Sequence, residues 1–532
     1  MNRLVFIFFC SLFSIQAFCQ QGLILNSAVL EQHVDRFNAT DNELYVQHIP
    51  NSAAKDFLRE QIPLLDIPDK EIEETYYFRW WTFRKHIKQT KVGFVITEFL
   101  PDVGWAKNYN TINCPAGHHI KEGRWLRDST FVSDYINFWL KYSGEGIRDY
   151  SFWVADAVLA FQNVHPNRER LAVDLPLLVA NYAVWENRRR DKDKKLFWQY
   201  DLKDGMEFTA SGAKLAGRSK FSVAATRPTI NSYMYGDAKA ISAMAKFIGQ
   251  SDLSIRFAEK AEVIKQAVQS RLWNKKVGFF TVLPRRYKKK SKPLSIRELM
   301  GYVPWYFNLP DDNMEYAKAW EFVLDSTVFF LPVGLAVTER GSNYFKMNYK
   351  GLACEWNGPS WPFATTQTID GLANFLNNYE QHGTVSTEAL HKLLNQYAAS
   401  HSIVLEDGTK QKWIDENFDP FTGEWITRAK FKGRKPTERG KDYNHSTFCD
   451  LVISDLIGVR PKLNGILEIT PLVPDSWDWF CLDRLLIQGK EVTVLWDKTG
   501  KKYGKGNGLM VFVNGKLKGS SEIIENLSVE LN

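Results

Sequence analysis

After its first twenty residues this sequence has no apolar run long enough to cross a bilayer as a helix. It has no Cys-x-x-Cys pair, no His-Glu-x-x-His and no EF-hand loop. Neither a metal centre nor a thioredoxin-type site is therefore expected, and no cofactor is implied. Cysteine is scarce, at six residues in 532. Cys10 and Cys19 fall near the N-terminus, while Cys114, Cys354, Cys449 and Cys481 are scattered. These four read as buried thiols, with a disulfide left open in an oxidising compartment. No short exact repeat is present, which argues against a tetratricopeptide-type solenoid. No basic motif interleaved with aromatics is present, so nucleic acid is not an expected partner. The formal charge of +7 collects in two runs, 188–190 and 285–290, which read as solvated faces.

Aromatic residues are abundant instead, at 14% with 18 Trp. They serve a large core or a sugar site, whose flat rings stack on pyranose C–H faces. The 24% charged and 44% hydrophobic content is that of a globular chain, and its length exceeds what one small core can bury. Residues 1–19 read as a signal peptide: Arg3, an apolar run over 4–15, then Ala17 and Cys19 at the −3 and −1 positions. Export to the periplasm or beyond follows. A lipoprotein anchor on Cys19 fits less well, because Phe18 is large where a lipobox needs a small residue.

Residues 20–68 give no clear pattern. Between 69 and 460 the chain reads as mainly helical, with spans at 71–88, 131–142, 150–164, 171–188, 252–273, 362–378, 387–400 and 446–456. A further helix starts at Pro228, a residue suited to a first turn. Ile230, Tyr233, Met234, Ala238, Ile241, Met244, Ala245 and Ile248 then share one face. Helices arriving in pairs, joined by Gly-, Asn-, Asp- and Trp-rich loops, suit an (α/α)6 toroid of six hairpins, with function on the rim loops. From 461 to 532 the pattern turns to alternation, as at 491–496 and 509–513. Asn514-Gly515 is a strong hairpin turn. The tail reads as a small β-sandwich-like domain with a packing role.

Glycoside hydrolysis needs two carboxyl groups flanking the scissile bond. Candidate loops carry carboxylates among aromatics and glycines. In Asp204-Gly205-Met206-Glu207-Phe208-Thr209, Met206 and Phe208 supply an apolar wall that would raise the pKa of Glu207. In Glu416-Asn417-Phe418-Asp419-Pro420-Phe421-Thr422-Gly423, a turn after Pro420 presents an acidic run. Trp356-Asn357-Gly358-Pro359-Ser360-Trp361 brackets a stiff turn with two Trp, which are either a sugar platform or core. Glu122 to Asp128 offers Trp125, Arg127 and Asp128, which hold either sugar hydroxyls or a salt bridge.

These four segments, in this order, resemble the glycosidases of families 63 and 37 and the mannosylglycerate hydrolases, which are (α/α)6 enzymes. Their acid is an Asp in a Ser-Gly-Met/Trp-Asp-x-Ser loop, so the resemblance puts Glu207 on the acid. Glu in place of Asp is a departure, and Asp204 is the reserve. Their base lies in a Glu-Asn-Tyr-Asn-Pro-x-Thr-Gly loop, which puts Glu416 on the base. Their Trp-Arg-Gly-Pro-x-Trp element is similar to 356–361, with Asn357 replacing Arg, and their Trp-x-Asp region is loosely similar to 125–128. The resemblance implies a secreted inverting glycoside hydrolase acting on an oligo- or polysaccharide. Trp125, Arg127, Asp128, Trp356, Asn357 and Trp361 would be its substrate contacts, with no metal. It names no sugar. The rivals are an α/α-toroid polysaccharide lyase, with Asn113, His118, His119 and Arg124 cast in its roles, and a non-catalytic glycan-binding protein.

Overall fold

The computed structural model describes residues 24–285, 292–347 and 354–531. Residues 1–23, where a leader is expected, and most of the second basic run lie outside them. Six helical segments form an inner ring: Ala116–Gly123, Val154–Val164, Pro228–Phe247, Leu299–Tyr306, Pro362–Asn378 and residues 449–456. The first five pack each against the next, and Pro362–Asn378 packs against the sixth. Six outer segments cover them: Lys70–Lys85, residues 130–142, Arg168–Arg189, Ser251–Leu272, residues 314–324 and Thr387–Ser400. This is the expected (α/α)6 toroid.

Burial sorts the two rings. Every residue from Pro362 to Phe375 is buried, as is every residue from Pro228 to Ala238, so these helices are surrounded by protein. Ser251–Leu272 buries a single stripe that includes Phe257, Ala261, Ile264 and Val268. Lys70–Lys85 is an outer helix, yet it is buried from Thr75 to Lys85. The reason is the N-terminal segment, whose helices Ala28–Thr40 and Asn51–Gln61 lie over it. The expected helix over 71–88 stops at Lys85, because residues 87–96 form a hairpin turning at Gly93, φ +103°. The wall over 299–324 is built from short α and 3₁₀ turns, which carry too few residues for a helical period to show.

The ring closes between its first and last inner helices. The buried Glu122 carboxylate accepts the backbone N–H groups of Phe448 (3.1 Å), Cys449 (3.0 Å) and Asp450 (2.8 Å). Arg124 reaches Asp450 at 2.6 Å, and the Trp125 indole N–H donates to the same oxygen at 2.7 Å.

From Val459 onward strands predominate. A three-stranded sheet (Val459–Pro461, Ile466–Ile469, Leu527–Glu530) accompanies a five-stranded one (Leu64–Asp66, Trp479–Ile487, Lys490–Asp497, Gly508–Val513, Lys516–Ser521). All pairings are antiparallel. Asn514 and Gly515 turn with φ 49° and 73°, as the hairpin signal predicts. Leu64–Asp66 comes from the N-terminal segment and pairs with Trp479–Ile487 across the whole chain. Among the described residues, all four cysteines are free and no helix is long and apolar enough to cross a membrane.

Ring closure through Glu122 is testable. Glu122→Ala leaves three buried N–H groups without an acceptor, and should cost at least about 3 kcal/mol at roughly 1–3 kcal/mol per orphaned group. Glu122→Gln keeps one acceptor oxygen and should cost less. Urea unfolding midpoints that agree between the two variants would show that the carboxylate does not hold the seam.

Candidate active site

The inner helices enter from one rim, and loops carrying carboxyl groups gather there. The first is folded around Asp201, whose carboxylate accepts from Val223 N (2.6 Å), Leu202 N (2.9 Å) and Thr209 Oγ (2.9 Å). Gly205 turns at φ +76°, and a Cβ there would meet Cys114 Sγ at 2.5 Å. Met206 is buried, and Phe208 follows Glu207 at φ +55°, a strained conformation for a bulky residue. Glu207 is left partly exposed at the tip. Its carbonyl accepts Trp356 N at 2.9 Å, which ties two rim loops together. The Glu207 carboxyl is pushed up to about 8. Burial is the main cause; its own backbone N–H and the Trp356 side chain oppose it, while the charges of Glu416 and Asp201 add to it.

Asp204 has a different surrounding. It forms a buried ion pair with Arg227 at 2.8 Å and accepts the Thr229 hydroxyl. A carboxylate so paired and enclosed anchors the loop.

The second loop is held by backbone pairing between Phe418 and Ser360 (2.9 and 3.0 Å). Asp419 caps the turn after Pro420, accepting Phe421 N at 2.8 Å, and Gly423 turns at φ +80°. Glu416 is 2% exposed. Its Oε1 accepts Arg439 Nη2 at 2.6 Å, and Cys354 Sγ lies 3.6 Å from Oε2. Arg439 is itself braced over the rings of Phe431 (4.1 Å) and Trp105 (5.2 Å). The neighbouring Asp415 accepts Glu416 N at 2.7 Å, and burial, reinforced by Glu416, pushes its carboxyl to about 8. A Cβ at residue 440 would come 1.8 Å from the Asp415 Oδ1, so any side chain there would have to displace that carboxyl.

Glu98 is a third carboxyl at this rim. It follows the 87–96 hairpin, accepts the Tyr443 hydroxyl, and is pushed to about 8 by burial. The Tyr443 bond opposes that shift, and the charges of Glu416 and Glu207 add to it. Neither Glu98 nor Arg439 is marked by the sequence reading. The signal for Glu98 was a single acid in the apolar run Phe94 to Leu100. Arg439 sat in a polar loop with nothing to separate it from its basic neighbours.

The aromatic element takes its place beside Glu207. Trp356 and Trp361 stack at 4.3 Å and 14°, and the Trp361 indole N–H donates to Glu355 O at 2.9 Å. Both rings are buried against each other, so they form a wall more than an open platform. Asn357 is buried next to them, its carbonyl accepting Lys346 N at 3.0 Å. Trp105, 45% exposed, is an open ring at this rim.

The expectation for Trp125, Arg127 and Asp128 needs correction. These residues follow the C-terminal end of helix Ala116–Gly123, whose N-terminal end adjoins Cys114 at the rim, so they lie toward the opposite face. Trp125 bonds Asp450, Arg127 bonds Arg484 O and Glu491 of the β-domain (both 3.1 Å), and Asp128 N donates to Gln61 Oε1 (2.9 Å). Their polar groups hold seams, not a ligand. The residues cast for a lyase are also structural. His118 is wedged edge-on between Trp153 (4.9 Å) and Phe363 (4.8 Å), and burial drives its pKa far down. His119 bonds Tyr135 (3.0 Å) and Asn444 O (2.6 Å), and the Asn113 amide donates to Ile147 O (2.9 Å) and Tyr150 O (2.6 Å).

The mannosylglycerate hydrolase MGH1-like glycoside hydrolase domain matches residues 108–446, and the C-terminal domain of glycosyl hydrolase family 65 matches 459–518. A solved structure described as a sialidase is 40% identical over 95% of this chain, with a TM-score of 0.86. This chain spans 45% of that protein's length. The family 63 mannosylglycerate hydrolase from Thermus thermophilus in complex with Tris is 12% identical over 71% of this chain and 99% of its own (TM-score 0.50). A family 78 rhamnosidase of Bacillus sp. GL1 is 11% identical over 82% of this chain and 40% of its own (TM-score 0.52). These last two share the fold.

The raised Glu207 pKa has a consequence for stability. Between 4.5 and about 8 the folded chain holds a proton on Glu207 that the unfolded chain has released. Its contribution is fully present below 4.5 and is lost as pH rises through about 8. Glu207→Gln should therefore flatten the pH dependence of the melting temperature across this window and raise the melting temperature at its upper end. A slope unchanged from that of the parent protein would mean that Glu207 is already ionised in the fold.

Proposed function

Because the chain belongs to the mannosylglycerate hydrolase MGH1-like glycoside hydrolase family, we propose that it cleaves glycosidic bonds by inversion, with Glu207 as general acid and Glu416 as general base. The observation that carries this reading is the opposite surroundings of the two groups. Glu207 is desolvated and keeps its proton up to about 8, while Glu416 is ion-paired with Arg439 at 2.6 Å. A carboxyl that holds its proton, set opposite one ion-paired with an arginine, is what acid and base roles require.

In the proposed reaction, Glu207 gives its proton to the glycosidic oxygen as the bond to the anomeric carbon breaks. A water on the opposite face of the sugar attacks that carbon and passes a proton to Glu416. Solvent then returns both carboxyls to their starting states. The ion pair with Arg439 and the 2% exposure of Glu416 support a group that takes a proton from water and does not itself attack carbon. An inverting pair stands roughly 6.5–9.5 Å apart to admit that water. Glu98 would accept a sugar hydroxyl, and Trp105 would offer an open ring to a pyranose face. The substrate is an oligo- or polysaccharide, and the sialidase's name refers to a protein more than twice as long as this chain.

Export is part of the same proposal. It rests on Arg3, the apolar run over 4–15 and the Ala17/Cys19 cleavage pattern. N-terminal sequencing of the mature protein should begin at residue 20, and an intact leader on the active enzyme would contradict export.

Glu207→Gln should lose most activity on glycosides with poor leaving groups and much less on activated aryl glycosides, which need little protonation. Glu416→Gln should lose both alike. Proton NMR taken immediately after cleavage should show the opposite anomer. Retention of configuration would defeat the inverting mechanism even if both residues proved essential.

A further inference from the structure

A cavity of about 970 Å3 lies on the face of the ring away from Glu207 and Glu416. Inner helices Ala116–Gly123, Val154–Val164, Pro228–Phe247 and Pro362–Asn378 line it, along with the connection into the β-domain. An aromatic plug separates it from the rim. Trp153 contacts His118, Tyr233, Phe307 and Phe363, and a Cβ on Gly117 would strike Trp153 at 2.4 Å. The reaction proposed above uses nothing beyond that plug.

The charges in this lining are nearly matched, six Lys or Arg side chains against five Asp or Glu. Lys121 lies 3.4 Å from Asp370 and 4.0 Å from Asp156, Arg124 lies 2.6 Å from Asp450, and Arg460 lies 3.2 Å from Asp455. A free anion would meet five carboxylates here, and a cation would meet the six basic side chains. Among the described residues no group of His, Cys, Asp or Glu is arranged to hold a metal ion. Hydrogen-bonding capacity, however, is left over. Tyr306 is 4% exposed, and its ring lines the cavity under Lys121 Nζ at 4.0 Å. Its hydroxyl feels the charges of Asp156, Asp370, Asp450 and Arg124, yet it has no hydrogen-bond partner among the described residues. The Nε atoms of Arg124 and Arg460 are also without partners. A buried polar atom without a partner calls for a water or a ligand.

We infer that this cavity is a second, non-catalytic site for a neutral pyranose. Such a ligand brings hydroxyls that donate to the carboxylates and accept from the cations while leaving the ion pairs intact. Its C–H face can rest against Phe247, a partly exposed ring of the lining. The volume falls within the usual range for a small-molecule site.

The test uses the full chain with D-glucose, D-galactose, D-mannose and L-rhamnose as probes, followed by saturation-transfer NMR and calorimetry. At least one of them should bind. Tyr306→Phe removes only an unpartnered hydroxyl and should weaken that binding by up to about tenfold, the worth of one hydrogen bond. Ala243, exposed at the cavity lining, can be changed to Trp without disturbing the core, and Ala243→Trp should block binding. Hydrolysis should be unchanged in both variants. The inference fails if none of the four sugars binds. It also fails if binding survives both changes, which would place the sugar among the carboxyls at the rim, or if hydrolysis falls in parallel with binding.

Discussion

A ring of helices has to be closed, and here closure rests on one buried carboxylate. Glu122 takes three N–H groups from the start of the last inner helix, more than three hundred residues further along the chain. Burial raises its pKa, while Arg79 and the backbone bonds pull the other way. The bonds come from consecutive residues, so they fix both the position and the direction of that helix. The rim loops leading into it, with Tyr443 and His445, take their places from there. The site at one face therefore depends on a contact toward the other.

At the rim, carboxyl groups stand in three different settings. Asp204 is enclosed with Arg227 and anchors its loop. Glu207, three residues on, is lifted out by Gly205 and Phe208, both at positive φ. Glu416 is enclosed like Asp204 but ends at the bowl, with Arg439 on one oxygen and Cys354 near the other. What each carboxyl can do is set by what surrounds it, and the strained backbone at Phe208 directly follows Glu207.

The long helices were legible because they obey simple rules. Pro228 and Pro362 start helices at their first turns, and the spans Pro362–Asn378 and Thr387–Ser400 agree with the structure to the residue. The helices at Ala28–Thr40 and Asn51–Gln61 were not seen, since their apolar faces are short and rest on one outer helix. The loops holding Glu207 and Glu416 stood out because glycine, proline and aromatics cluster around a carboxylate. That same texture misled at residues 125–128, where Trp, Arg and Asp serve a helix seam and a domain contact. Sequence shows that a charge sits beside an aromatic; only the fold shows which face of the ring it is on. Glu98 and Arg439 lay in segments without such texture, and they become visible only through their partners Tyr443 and Glu416.

The strand Leu64–Asp66 sets an order of events during synthesis. Its partner strand contains Asp483, which also accepts the N–H groups of Ile24 (2.8 Å) and Leu25 (2.9 Å), a separation of 459 residues for the first. At ~5–20 residues per second, that partner leaves the ribosome roughly 20–90 s after the N-terminal segment. For that interval the strand is an unpaired edge on a nascent chain, open to pairing with other chains. At three residues it is a short one. Its brevity costs the finished sheet little and gives a neighbouring chain little to grip while the rest is being made.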